Sequence, residues 1–320
     1  MVEEQLDEVP ARPVCLDEPQ VTLVFDFFAG IGGLSRALEL ARMKVDHLVV
    51  IERDPGCRRL NGVRWPGCDV FTDITKITKR DVERMMRSVP GLTGVLAGGG
   101  SPCQGLSKLS SQRKHLDDPR SQLFYKYSEI LGWIAELAEE MGVWCIQMLE
   151  NVLGDEADIK EMNEVLGVKP VLMCASGVSR VRRPRLYWSN VEVTDHPSFT
   201  RAHYELFDEV IFEEKVEPLE KVCDPGWMWL HEAVDESLRL PTFTRALPRR
   251  RPPPDPAGIH TCDEGTLQLW RQDEMKYPPY TYKEEFRFGR PGDLEGTRVA
   301  SVSERERLMG FPTGVYSGTA

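Results

Sequence analysis

One cysteine in this chain is placed to react. Cys103 stands in GGGSPCQGLS, residues 98–107, behind a proline that stiffens the turn and among glycines that leave a thiol uncovered. Packing in the core is the commoner fate of a cysteine, and it is the reading for the other seven, at positions 15, 57, 68, 145, 174, 223 and 262. On a Gly-Pro loop the balance turns toward a nucleophile, because a thiol must be accessible and ionisable to attack. Glu150 closes the apolar run VWCIQMLEN. A carboxyl group at such a strand end can be held protonated by its surroundings and serve as an acid. In RVRRPRLYW, residues 180–188, strand alternation points Arg183 and Arg185 the same way, into one site. A solvated basic face that also includes Arg182 is the alternative.

A second group of residues suits a cofactor. FDFFAGIGGL, residues 25–34, is a β-rich run that ends in glycines, and Phe28, Gly30 and Gly32 would form a tight turn there. Glu52 follows Gly30 by about 20 residues, the interval at which an acidic side chain meets ribose hydroxyls. Asp26 would repel a pyrophosphate, whereas it suits the ammonium of a methionine moiety, which favours S-adenosyl-L-methionine over a dinucleotide. Another nucleotide fold, or a plain glycine turn, stays open. Gly98 opens the second glycine loop, and Asp73 in FTDIT could accept from an adenine amino group. A helix cap or turn aspartate explains Asp73 equally well.

The elements that must carry these residues alternate. VTLVFDFF, HLVVIE, GLTGVLAGGG and VWCIQMLEN read as buried strands, separated by helical patterns such as SQLFYKYSEILGWIAELAEEM. The spacing predicts an α/β fold with a parallel, doubly wound, Rossmann-like sheet over residues 21–190, with sites at the carboxyl ends of its strands. Residues 1–20 read as a flexible acidic lead-in. Residues 191–297, rich in Pro, Arg and aromatics, read as a smaller irregular lobe, and residues 298–320 return to the main domain. The chain has 320 residues, 41% hydrophobic and 28% charged, with a net charge of −11, so any contact with nucleic acid needs a local basic face. No CxxC pair, basic leader or long apolar run occurs, which favours reduced thiols and an unsecreted protein without a membrane span.

FDFFAGIGGL, GGGSPCQGLS, LENV, RVRRPRLYW and SERERLMGFP occur in that order over about residues 21–315, and together they resemble the cytosine-5 DNA methyltransferase family. SKLSSQRKHLDDPRSQLFYKY, RPRLYWSN and PTFTRA are most similar to the animal-type de novo branch, whose small lobe recognises the target. The resemblance implies that the Cys103 thiolate, its pKa lowered by Arg185, adds to C6 of a flipped-out cytosine. Glu150 would bind and protonate N3, with Arg183 and Arg185 as the family's arginine pair. C5 then takes the methyl of S-adenosyl-L-methionine, a base removes the C5 proton, and Cys103 departs. Extruding a base from double-stranded DNA costs a few kcal/mol. In the loop 104–120 the resemblance makes Leu109 an apolar wedge and gives Arg113 and Lys114 to phosphates. Arg245 would lie near a guanine and Arg249 on the backbone; an ordinary loop anchor and a solvated Pro-Arg linker are the bland alternatives. The expected place of action is the nucleus if the source is eukaryotic, otherwise the cytoplasm, and a homo- or hetero-oligomer stays open.

Two departures stand out. Arg53 follows Glu52 where the family more often has an apolar residue, and the family's last motif is seen at neither end, so a truncated chain with weakened cofactor binding is expected. The rivals are a transfer-RNA cytosine-5 methyltransferase, although that branch's Cys-Phe-Thr signature is not visible, and a catalytically inert accessory paralogue. A nicotinamide dehydrogenase would leave Cys103 and the arginines unexplained.

Overall fold

The computed structural model describes residues 20–106, 114–194, 196–212, 221–230, 239–243, 256 and 258–314, apart from the side chains of 293–295. The chain begins with β1 (Thr22–Phe27), α1 (Gly33–Leu40), β2 (His47–Ile51), α2 (Pro55–Arg64), β3 (Asp69–Phe71), α3 (Lys79–Arg87) and β4 (Gly94–Gly100). It continues through α4 (Leu123–Met141), β5 (Trp144–Val152), α5 (Glu156–Leu166), β6 (Val171–Cys174), β7 (Val181–Arg182), β8 (Pro184–Ser189), β9 (Phe199–His203) and β10 (Asp208–Phe212). Then come β11 (Met228–Trp229), β12 (Leu240–Pro241), α6 (Glu264–Gln272), β13 (Phe288–Arg290), β14 (Asp293–Arg298) and α7 (Val302–Leu308).

Nine strands form one sheet in the order β3-β2-β1-β4-β5-β8-β6-β10-β9. Every residue of β1 is buried, as a central strand covered on both faces requires. Leu23, Phe25, Phe27, Val49 and Val95 face α3, α4 and α5, whereas Val24, Leu48, Val50 and Leu96 face Leu38 of α1. Residues one apart along β1 therefore feed opposite layers, which makes the sheet doubly wound. Local chemistry fixes the helix limits. Asp54 caps α2 by accepting from the Gly56 and Cys57 amides, and α4 ends where Gly142 turns left-handed at φ 68°.

The sheet is mixed, which departs from the parallel sheet that the alternation predicts. β3, β2, β1, β4 and β5 run parallel, but β8 is antiparallel to both β5 and β6. The chain leaves β6 at Cys174 and returns as β8 after a short excursion, and only an antiparallel return dispenses with a helical crossover. The sheet also runs past residue 190, where the sequence pattern starts the small lobe, because β10 pairs with β6 and β9 with β10.

The smaller lobe has its own core of Val222, Trp229, Leu240 and Phe288, together with Val181 of β7 and Leu308 of α7. α7 packs into this core through Leu308. Asp224 accepts from Arg298, Ser301 and Arg307, and Glu304, fully buried, pairs with Arg298. The main domain is touched beyond α7, where Arg36 of α1 donates to the Gly310 carbonyl and Arg64 of α2 lies over the Phe311 ring. Among the described residues no helix is long and apolar enough to cross a membrane.

Candidate active site

Strand register assembles the reactive groups. Gly100 of β4 lies opposite Glu150 of β5, and β8 sets Tyr187 opposite Glu150 and Arg185 opposite Val152. Opposed residues share a face of the sheet, so Glu150 and Arg185 project to one side. Arg185 Nε lies 2.9 Å from Glu150 Oε1, and Arg183 Nη2 donates to the same oxygen at 3.0 Å. Close approach explains the glycine at position 100, since a Cβ there would lie 2.6 Å from Glu150 Oε2.

Cys103 is half-buried on the loop that leaves β4. Its thiol feels Arg185, Glu150 and Arg183 together, so the four residues named from the sequence form one cluster. The direction of the pKa shift corrects an expectation. Burial pushes the Cys103 thiol up, Arg185 opposes this, Glu150 adds to the rise, Arg183 opposes it, and the net result lies above the ordinary value. Desolvation outweighs the arginines because Glu150 already neutralises much of their field. Burial likewise lowers the Arg185 pKa, with Arg183 adding to that effect and Glu150 opposing it.

Side chains that the sequence reading did not single out hold the loop. Asn151, 1% exposed, donates from Nδ2 to Ser101 Oγ at 2.9 Å and so ties β5 to the residues just before Cys103. The Leu106 amide donates to the Cys103 carbonyl, and the His115 amide to the Gly105 carbonyl. His115 Nδ1 lies 2.9 Å from Asp158 Oδ2 at the start of α5, anchoring the far end of the loop. The position of Asn151 beside Glu150 in LENV was its only sequence signal. Lys114 is exposed at the foot of this loop. Leu109, Arg113, Arg245 and Arg249 lie outside the described residues.

The cofactor-type residues gather at the carboxyl ends of β1, β2 and β4. Phe28, Gly30 and Gly32 have φ of 51°, 52° and 80°, a left-handed run that turns the backbone tightly between β1 and α1. Phe28 leans on the Tyr127 ring. Glu52 accepts from the Gly30 amide at 2.7 Å and the Asp54 amide at 2.6 Å. Gly98 lies under Leu34, which a Cβ would approach to 3.0 Å, so helix packing accounts for this glycine. Asp73 caps the turn Ile74–Lys76 by accepting from the Thr75 amide and hydroxyl, the role a turn aspartate fills.

Asp26 is 1% exposed, and its carboxyl accepts from Ser35 Oγ of α1 at 2.9 Å. Burial pushes its pKa up to about 7, the Ser35 hydrogen bonds oppose the rise, and the charge of Glu52 adds to it. The side chain that suited the cofactor by type fastens α1 to β1.

A doubly wound sheet with a glycine turn after β1 and a Pro-Cys loop after β4 is a Rossmann-like α/β fold. Residues 23–135 match the model of the family described as C-5 cytosine-specific DNA methylase. It is similar to the type II methyltransferase M.Sau96I of Staphylococcus aureus, 31% identical over 34% of this chain and 24% of that protein. It is also similar to the tRNA (cytosine(38)-C(5))-methyltransferase of Schizosaccharomyces pombe, 26% identical over 42% of this chain and 36% of that protein. Both matches span little more than a third of the relatives' length, or less. Among solved structures, the methyltransferase EhMeth of Entamoeba histolytica aligns with a TM-score of 0.40 and 18% identity, over 57% of this chain and 59% of that one.

Proposed function

We propose that the chain transfers a methyl group from S-adenosyl-L-methionine to C5 of a flipped-out cytosine in double-stranded DNA. The observation that carries this reading is the convergence of Cys103 with Glu150, Arg183 and Arg185 at one sheet edge, beside the turn that Glu52 braces. The residues present fit the cofactor: Glu52, partly exposed and held by two backbone amides, keeps lone pairs for ribose hydroxyls. Bound there, S-adenosyl-L-methionine would supply the electrophilic methyl.

The chain's own groups do the rest. Cys103 loses its proton to water and its sulfur bonds to C6, which pushes electron density to C5 and N3. Arg185 favours the thiolate against the cost of burial. Glu150 faces the pyrimidine's N3 edge, and to donate a proton there it must exchange its arginine partners for the base. After the methyl is in place, the C5 proton leaves to water, the Cys103–C6 bond breaks to restore the thiolate, and the N3 proton returns to Glu150. DNA as the substrate implies action in the nucleus of a eukaryotic cell.

A second reading, methylation of transfer RNA, is favoured by the match to the Schizosaccharomyces pombe enzyme. Incubation with duplex DNA or transfer RNA containing 5-fluorocytosine, in the presence of S-adenosyl-L-methionine, separates the two. A covalent adduct on duplex DNA that disappears in Cys103→Ser is expected. An adduct on transfer RNA alone would favour the second reading, and none on either would overturn both.

A further inference from the structure

The turn between β1 and α1 is gripped from behind by a residue of α2. Asn61 is fully buried, and its Nδ2 donates to the Gly30 carbonyl at 2.8 Å and to the Cys57 carbonyl at 2.9 Å. Two carbonyls can be met only by the amide nitrogen, so the orientation of the side chain is fixed. Its Oδ1 is thereby aimed at Gly32, where a Cβ would lie 2.6 Å away. That contact, together with φ 80°, explains the glycine there. The Gly30 residue is consequently held on both sides: its carbonyl by Asn61, its amide by Glu52 Oε2 at 2.7 Å.

We propose that Asn61 is a positioning residue for the cofactor: by fixing the carbonyl of Gly30 it aims the amide that orients the Glu52 carboxylate toward the ribose. This rests on the S-adenosyl-L-methionine reading above. Asn61 itself, wholly buried beneath the turn, has no surface with which to touch a ligand.

The test compares the parent chain with Asn61→Ala, Asn61→Ser, Glu52→Gln and the double variant Asn61→Ala/Glu52→Gln. Calorimetric titration with S-adenosyl-L-methionine gives affinity, and methyl transfer to duplex DNA at saturating cofactor gives kcat. Asn61→Ala should weaken cofactor binding about tenfold, the worth of roughly one net hydrogen bond, with kcat kept within about twofold. Asn61→Ser, which retains one donor and is gentler on the fold, should lose less. The double variant should bind no more weakly than Glu52→Gln alone, because Asn61 acts through Glu52. Undiminished affinity in Asn61→Ala and Asn61→Ser, or fully additive losses, would overturn the assignment. A parent chain that binds no S-adenosyl-L-methionine would overturn the underlying reading, and the assignment with it.

Discussion

Asp26→Asn tests the claim that a buried carboxyl fastens α1 to β1. Asparagine keeps the shape and an oxygen that can accept from Ser35 Oγ, while the ionisable proton is removed. In the parent, the folded-state pKa is raised from 3.8 to about 7, with burial as its main cause. The folded chain therefore binds this proton more tightly than the unfolded chain. The stability that follows is whole below about pH 4 and is lost as the pH rises toward about 7. At about 1.4 kcal/mol per pH unit the loss amounts to about 4 kcal/mol, a large share of the roughly 5–15 kcal/mol of a typical domain. With Asp26 only 1% exposed, solvent screening removes little of it. The variant escapes the loss, so the unfolding free energy of variant minus parent should climb by up to about 4 kcal/mol between about pH 4 and pH 8. Urea unfolding of both proteins across that range, followed by tryptophan fluorescence, measures the difference and cancels every group they share. Parallel curves, with a difference independent of pH, would refute the reasoning.

Two further predictions concern the reactive loop. Peptide-resolved alkylation of Cys103 against pH should show a midpoint above the ordinary thiol range; Arg185→Ala should raise it further and Glu150→Gln should lower it, and shifts of opposite sign would contradict the cluster's electrostatics. Gly105→Ala would set a Cβ 2.4 Å from Ser121 Oγ and 2.6 Å from both Asp118 Cβ and the His115 carbonyl. Overpacking of this kind costs about 1–3 kcal/mol, so a lowered Tm and slower adduct formation with 5-fluorocytosine are expected, and an unchanged Tm would count against the packing.

The motif order, the strands that carry it and the two-sided burial of the central sheet could be read from the chain alone, because apolar periodicity and glycine turns are written in neighbouring residues. FDFFAGIGGL specified a strand and turn by itself, and GGGSPCQGLS specified a strand running into a loop, whereas the burial of Ser101, Gly105 and Leu106 around Cys103 came from the fold. What surrounds each side chain was decided by the fold. The antiparallel entry of β8 sets Arg185 within reach of Glu150, and it depends on pairings made between segments about 35 residues apart. Burial sets the Asp26 carboxyl against Ser35 of α1, and it drove the Cys103 thiol up where a nearby arginine suggested down. Desolvation depends on every atom packed around a group, most of them distant in sequence, and so only the tertiary structure could fix the sign.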